Sequence, residues 1–443
     1  MKIQLSEHFT YHKLIRFVLP SIIMMIFTSI YGVVDGLFVS NYVGKTAFAG
    51  LNLIMPFIMA MSALGFMMGT GGSAIVAKTL GEGKKKKANE YFSMIVYVTL
   101  VGGIVLAIVG ILLTKQVSSA LGATGELLDN CILYGRIILI SMPAFMLQNV
   151  FQCFFVTAER PKLGLTVIVL AGVTNMILDF LFIAVFGWGL AGAAFATVCG
   201  ECVGGLLPLL YFGRKNTSPF RLGKARLHWN ILGKTCTNGS SELMTNLSSS
   251  VVNTLFNFQL MHFAGEDGVA AYGTLMYVNF IFIAIFLGYS IGSAPIVSYH
   301  YGARNSDELK NLLTKSLKMI GVWGIGLLAL AQLIASPLAR IFVGYDPDLF
   351  ELTKHGFRIF CLAFLVNGFN IYGSSFFTAL NNGLLSALIS FLRTLVFQIA
   401  AVLLMPMFLG IDGIWGAVFV AEILTLCVTL ICLVRKRKQY HYF

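Results

Sequence analysis

An all-α membrane protein, with twelve transmembrane helices in two six-helix lobes related by a parallel internal repeat, is the fold class that this chain of 443 residues predicts. Three observations carry it. Hydrophobic residues make up 57% of the chain and charged residues only 11%, where a soluble domain is about a quarter charged. Apolar runs long enough to cross about 30 Å of hydrocarbon recur along the whole length. The second half also repeats the first. Moved back by 221 positions, Gly265 falls on Gly44, Ala270 on Ala49, Met276 on Met55, Gly292 on Gly71 and Gly302 on Gly81. Later the offset drifts, and Gly413 and Gly416 fall opposite Gly189 and Gly192.

Taken in order, the predicted spans are 14–38, 47–77, 91–113, 130–158, 163–186, 190–213, 236–262, 269–299, 316–336, 356–380, 384–408 and 413–434. The second and eighth are longer than a crossing needs, so they are expected to tilt or bend. Each repeat unit holds six spans, and an even number gives both units the same orientation in the membrane. The chain then divides into an N-lobe over 1–213, a polar linker over 214–234 with Pro219 and Gly223, and a C-lobe over 235–443. The remaining connections are mostly short, which suits antiparallel neighbours. Two similar bundles facing one another are the architecture of a transporter with its site between the halves. The first, second, seventh and eighth spans open each repeat and are expected to line that cleft.

Lysine and arginine set the orientation. With the N-terminus inside, the inner segments hold 24 of the 31 basic residues, and the outer loops hold four: Lys45, Lys115, Arg340 and Lys354. Positive residues gather on the cytoplasmic side, so both termini are expected in the cytoplasm and the protein in the cell membrane. The net charge of +12 is then mostly topology. The run Lys84–Lys87 reads as attraction to anionic lipid headgroups, and no nucleic-acid partner is expected. Neither the polar stretch Met1–Arg16 nor the long first apolar run fits a cleaved signal. All eight cysteines fall in or at the ends of spans, where a disulfide framework would not place them. Cys199 and Cys202 lie mid-span with no second pair, as packing residues.

Enzymatic motifs are missing. Gly44, Lys45 and Thr46 look like the end of a phosphate-binding loop, as do Gly233, Lys234 and Thr235, but the leading glycine is replaced by Val39 and His228. No zinc-protease motif, nucleophile elbow or metal-ligand cluster appears. Neither an enzyme nor a cofactor beyond a coupling ion is expected. The composition leaves a carrier driven by an ion gradient.

A carboxylate in mid-membrane costs roughly 2.5–3.5 kcal/mol even on lenient scales, so it needs a reason. Asp35, Asp179, Glu201 and Glu422 lie well within spans, and Glu242 near the start of the seventh. Thr28, Tyr31 and Asp35 share a helix face at i, i+3 and i+7, and Asn175 and Asp179 sit at i, i+4. Two carboxyls with neutral polar neighbours, and no basic residue nearby in sequence, can take up a proton or a cation, because burial disfavours the ionised form. Glu201 and Glu422 each lie mid-span in the last helix of a lobe. They read as structural, with Arg136, Arg358 and Arg393 as candidate partners. Met55 and Met59, in a second span crowded with methionine, suit a pocket that accepts many apolar shapes.

These residues resemble a family. Tyr31 precedes Asp35 by four residues in the first span. Asn175 precedes Asp179 by four, after the basic-proline turn Arg160–Pro161. Gly189, Leu190, Ala191 and Gly192 open the sixth span. Over essentially the whole chain this is similar to the multidrug and toxic compound extrusion (MATE) transporters. The resemblance implies an N-lobe cation pocket of Tyr31, Asp35, Tyr134, Gln152, Asn175, Asp179 and Thr197, with Gln152 standing where some members carry Asn. It implies H+ or Na+ as coupling ion, any Na+ lying at Asp35 and Asp179. It also implies antiport of organic, often cationic, drugs by alternating access, in a monomer within the lipid bilayer. Some sodium-coupled members carry further acids in the seventh and tenth spans. Here those regions offer Ser248, Ser249, Ser250, Asn253, Asn367 and Asn370, which points coupling to the N-lobe. A lipid-linked saccharide flippase of related build is the alternative, though those tend to carry more spans and more basic cavities. An intramembrane enzyme lacks its motifs here, and a receptor would have no use for buried acids.

Overall fold

The structure, a computed structural model, describes residues 3–442, with side chains throughout except at Leu37, Ser40, Asn41 and Lys45. The side chain of Lys45, one of the four basic residues expected in outer loops, thus lies outside the described residues, as do Met1, Lys2 and Phe443 of the two predicted lobes. Helix α1 (Tyr11–Phe38) runs into a π turn (Val39–Val43). Helices α2 (Lys45–Gly81) and α3 (Lys85–Ala120) follow. Helix α4 is a pair, Gly125–Ile140 and Met142–Thr157, bent by 56°. Helices α5 (Pro161–Val185) and α6 (Gly189–Gly213) complete the N-lobe. One helical stretch, Trp229–Gly302, holds both α7 (229–264) and α8 (266–302), because Gly265 turns the chain between them at φ 61°. The C-lobe continues with α9 (Ser306–Val343), α10 (Pro347–Ala379), α11 (Gly383–Leu409) and α12 (Ile411–Tyr440).

Twelve crossings result among the described residues. Ten helices are long and apolar enough, the bent pair makes an eleventh, and Gly265 divides the longest into two. Several helices outrun the apolar runs that announced them, α9 by ten residues at its start. Apolarity ends where the headgroups begin, whereas the backbone hydrogen-bond ladder continues into water until a cap stops it. Asn305 caps α9 by accepting from the Glu308 amide, and Asp346 caps α10 by accepting from Asp348 and Leu349. The polar connection is correspondingly shorter, since α7 starts at Trp229. It is tied to α3, with the Arg221 amide donating to Asn89 Oδ1 at 2.7 Å and His228 lying 3.0 Å from Glu90.

Repeat-equivalent glycines do equivalent work. Gly44 (φ 116°) and Gly265 (φ 61°) both turn the chain from the first to the second span of their lobe, in backbone that favours glycine. Gly81 and Gly302 bring the ends of α2 and α8 into backbone contact. A Cβ on Gly81 would lie 2.0 Å from the Tyr299 carbonyl, and one on Gly302 would lie 2.0 Å from the Lys78 carbonyl. Gly71 of α2 packs on Thr235 of α7 in the same way, and Gly292 of α8 on Val18 of α1. The lobes therefore meet through α1, α2, α7 and α8, the four spans expected to face one another. These closest approaches lie toward the end that carries the termini. The N-terminal arm straps that end: the Leu5 amide donates to Glu159 of the N-lobe at 3.0 Å, and the Phe9 amide to Glu308 of α9 at 2.9 Å.

Candidate cation site in the N-lobe

Asp35 sits on α1 one turn before its π segment, and Asp179 is the last α-helical residue of α5 before another, Phe180–Val185. Such turns widen a helix locally and often mark functional positions. Small residues let the three helices close on one another. A Cβ on Gly172 of α5 would lie 2.5 Å from the Phe27 ring of α1, and one on Gly200 of α6 would lie 3.0 Å from the Asn175 Cβ of α5. Glycine spacing in the sequence thus becomes close helix packing, and the packing brings the carboxyls together.

The Asp35 and Asp179 carboxyls are neighbours in the pocket. Asp179 is fully buried, and Asp35 is only 9% exposed. Asn175, one turn before Asp179, donates from Nδ2 to Thr197 Oγ1 at 3.4 Å, a long bond, while Thr197 donates to the Ala193 carbonyl at 3.1 Å. Tyr134 of α4 is buried beside Thr197. Tyr31 lies against Gln148 of α4.

Five acceptors here have no donor: Asp35 Oδ1, both oxygens of Asp179, Asn175 Oδ1 and Gln148 Oε1. Each such atom costs about 1–3 kcal/mol when dry, and charged ones cost more. Among the described residues no arginine or lysine pairs with these acids. One unpartnered donor, the Tyr134 hydroxyl, is also buried here, but the free acceptors outnumber it, which suits a proton or a small cation. Among the described residues no three His, Cys, Asp or Glu are grouped so as to hold a metal ion.

Sequence reasoning did not place three neighbours of this pocket: Glu201, which it read as structural, Ser141 and Gln148. Glu201, one turn beyond Thr197 on α6, faces Asp35, Tyr31 and Tyr134 instead of an arginine. It contacts Ser141 Oγ at the bend of α4, where Pro143 interrupts the helix. Ser141 Oγ is within donating reach of both the Ile138 carbonyl, 2.8 Å away, and the Glu201 carboxyl. Gln148, missed as well, lies one turn before the buried Gln152, and it is Gln148 that touches Tyr31. The signal for Glu201 was present: it falls on the buried stripe of Ala193, Ala194, Gly200, Gly204 and Gly205.

The other predicted residues sit further out. Thr28 shares the Asp35 face but donates to its own helix, at the Met24 carbonyl (2.9 Å). Met55 and Met59 are half-buried on α2, and Ser62 donates to the Met59 carbonyl at 3.0 Å.

The C-lobe carries a different kind of acid. Glu422, 1% exposed, accepts from Arg393 Nε at 2.8 Å and from Asn370 Nδ2 at 2.7 Å. Asn367, with its amide nitrogen turned to the acid, donates at 2.9 Å. Of the three candidate arginine partners, only Arg393 pairs with an acid. Arg136 and Arg358 are exposed on the outside of the bundle and partner neither Glu201 nor Glu422. The buried stripe of α4 is Cys131, Tyr134, Gly135, Ile138 and Leu139, and that of α10 is Leu349, Thr353, Gly356, Phe357 and Phe360. Each arginine lies off its stripe, so its side chain points away from the core.

Two repeated six-span lobes, closed on each other at one end and holding an unpaired acidic pocket in one lobe, define a membrane transport protein. The profile of the family described as MatE matches residues 20–181 and 243–404, one match in each lobe. The chain belongs to that family, the MATE transporters, and is a transporter and not an enzyme. It is 23% identical to the multidrug export protein MepA of Staphylococcus haemolyticus, over 96% of this chain and 93% of that protein. Among solved structures, the outward-facing conformation of a multidrug resistance MATE family transporter matches with a TM-score of 0.93 at 22% identity, over 100% of this chain and 99% of that one. A MOP superfamily transporter from Pyrococcus furiosus, described as having a binding pocket of reverse polarity, matches at 0.87 and 23%, over 98% and 96% of the two chains. At such identities the structural likeness shows the fold alone.

Proposed function

We propose that the protein exports small organic compounds, often cationic, by antiport against H+ or Na+ through alternating access. The observation that carries this is the set of buried acceptors without donors around Asp35 and Asp179. In the proposed cycle those two acids take up a proton or cation, and Asn175, Tyr31 and Thr197 orient them. Tyr134, Gln152 and Thr28 form the surrounding layer, and Met55 and Met59 offer adaptable apolar contacts to substrate. Glu201 joins as a third acid. Neutralising the pocket would change how α1 packs on α5 beside its π turn, and so release substrate outward. A membrane potential negative inside favours cation entry by about 2.3 kcal/mol per charge per 100 mV.

The multidrug-export names of the relatives support the substrate class. The seam closed toward the termini suits an outward-facing state, the conformation of the matched transporter. We further take residues 1–213 and 235–443 as the two moving lobes joined by 214–234. The protein is read as a monomer in the cell membrane with both termini cytoplasmic.

Dye efflux from proteoliposomes, under separately imposed proton and sodium gradients, tests the function. Efflux driven by one gradient and not by its absence is expected. Efflux indifferent to both would overturn coupled antiport. For the orientation, a single cysteine at position 222 in a cysteine-free background should label only from inside.

A further inference from the structure

Away from the acid pocket, the closed seam holds a basic cavity that the transport cycle does not use. It measures about 420 Å³ and is walled by both lobes. Lys78, Lys84 and Lys87 line it from the α2–α3 corner of the N-lobe; Lys234 and Asn238 of α7 and Gly383 at the start of α11 line it from the C-lobe. A second cleft continues past Lys78 and adds Arg304. The one acid in the walls, Glu82, is taken by Lys84 at 2.7 Å. No carboxylate pairs with Lys78, Lys87 or Lys234 among the described residues. Lys78 rests instead over the Tyr301 ring, 5.1 Å from its centre.

Three lysines lining one cavity without a paired carboxylate repel one another. A multivalent anion relieves that repulsion. Phosphate suits it best, because lysine offers a strong point charge to phosphate oxygens. Lys84 and Lys87 bring the start of α3 to the edge of the same space, and with it the helix's positive dipole end. Asn238 contributes an acceptor: its Oδ1 is buried and unpartnered, while its Nδ2 donates to the Thr378 carbonyl at 2.9 Å. The cavity opens where the basic loops of the chain gather, at the depth of a lipid headgroup if those loops are cytoplasmic.

We infer that this cavity binds a phosphate-bearing anion across the two lobes and that occupancy holds the seam closed. Its walls come from both lobes, so the site exists only while they touch. A ligand that binds one conformation and not the other shifts the population toward it. The anion therefore favours the state closed at the termini end, whose place in a transport cycle rests on the alternating-access reading. Binding and closure themselves do not.

The test uses purified full-length protein in nanodiscs and reads its thermal unfolding midpoint, not transport. Three media are compared: phosphatidylcholine alone, phosphatidylcholine mixed with phosphatidylglycerol, and phosphatidylcholine with added pyrophosphate. Wild type is expected to gain stability in at least one anionic medium. A gain with phosphatidylglycerol only identifies a lipid headgroup as the source, and a gain with pyrophosphate identifies a soluble phosphate. The Lys87→Gln/Lys234→Gln variant should be at least as stable as wild type in phosphatidylcholine alone, because it removes repulsion. It should bind the anion more weakly by on the order of thirtyfold, at two lost lysine contacts, and lose most of the gain. The Lys85→Gln/Lys86→Gln variant removes equal charge outside the cavity and should keep it. No gain in either anionic medium, or equal losses in the two variants, overturns the site.

Discussion

The two lobes share a fold and a repeat, yet they treat their buried acids in opposite ways. Glu422 in the C-lobe is wrapped: Arg393, Asn370 and Asn367 together supply donors to both of its oxygens. Asp35 and Asp179 in the N-lobe are left bare, with neutral polar side chains and a third acid for company. Both arrangements bury charge at similar expense, and only one of them cancels it. A paired acid is finished and can do no more than hold helices together. An unpaired acid is waiting for a positive partner from outside, and in a transporter that partner can be the coupling ion. On the proposed cycle, the difference in pairing, and not the mere presence of charge in the membrane, separates coupling from architecture.

The comparison breaks most sharply under single substitutions. Asp35→Asn and Asp179→Asn should each abolish gradient-driven efflux in proteoliposomes while leaving stability within about 1 kcal/mol of wild type, since no buried cation loses its partner. In the C-lobe the same chemistry should do the reverse. Glu422→Gln strands Arg393 and should lower stability by about 3–5 kcal/mol, read as a large drop in the thermal midpoint. Replacing both partners, as Arg393→Met with Glu422→Met, should recover most of that loss. A C-lobe single variant that stays stable but loses coupling would erase the contrast.

Smaller effects sharpen it. Glu201→Gln keeps a hydrogen-bonding partner for Ser141 and removes the titratable group. Efflux rates should fall several-fold, with the pH dependence of transport displaced, if Glu201 belongs to the N-lobe set. An unchanged pH profile would return it to a structural role. Smallest of all should be Tyr31→Phe, Asn175→Ala and Thr197→Ala, which orient carboxyls without titrating. Each is expected to slow efflux by about two- to tenfold, on the scale of one lost hydrogen bond. A complete loss in any of them would move it from orienting the site to carrying the charge.

Much of this contrast was legible in the sequence. Charges are rare enough in apolar spans that Asp35, Asp179, Glu201 and Glu422 stand out on composition alone, and the four-residue spacing of Asn175 and Asp179 already places both on one face. The repeat was legible too, because Gly44 and Gly265 each supply a turn that disfavours other residues. What failed was assigning partners. Sequence shows which residues share a face of one helix but not which face of the next helix meets it, so Arg136 and Arg358 looked as available as Arg393. Counting buried stripes removes those two, since each lies beside its stripe and not on it. Gln148 and Ser141 carry no charge to betray them. They matter only because a bend in α4, set by Pro143, brings them to Tyr31 and Glu201.

Infrared difference spectroscopy of the protein in lipid tests the claim of bare and wrapped acids most directly. Spectra would be taken on a pH step and, separately, on sodium addition, with wild type, Asp35→Asn, Asp179→Asn and Glu422→Gln side by side. Wild type should show carboxyl bands that respond to one of these ions. The response should shrink or vanish in both N-lobe variants and persist in Glu422→Gln. Carboxyl bands that survive in both N-lobe variants but disappear in Glu422→Gln would contradict the account.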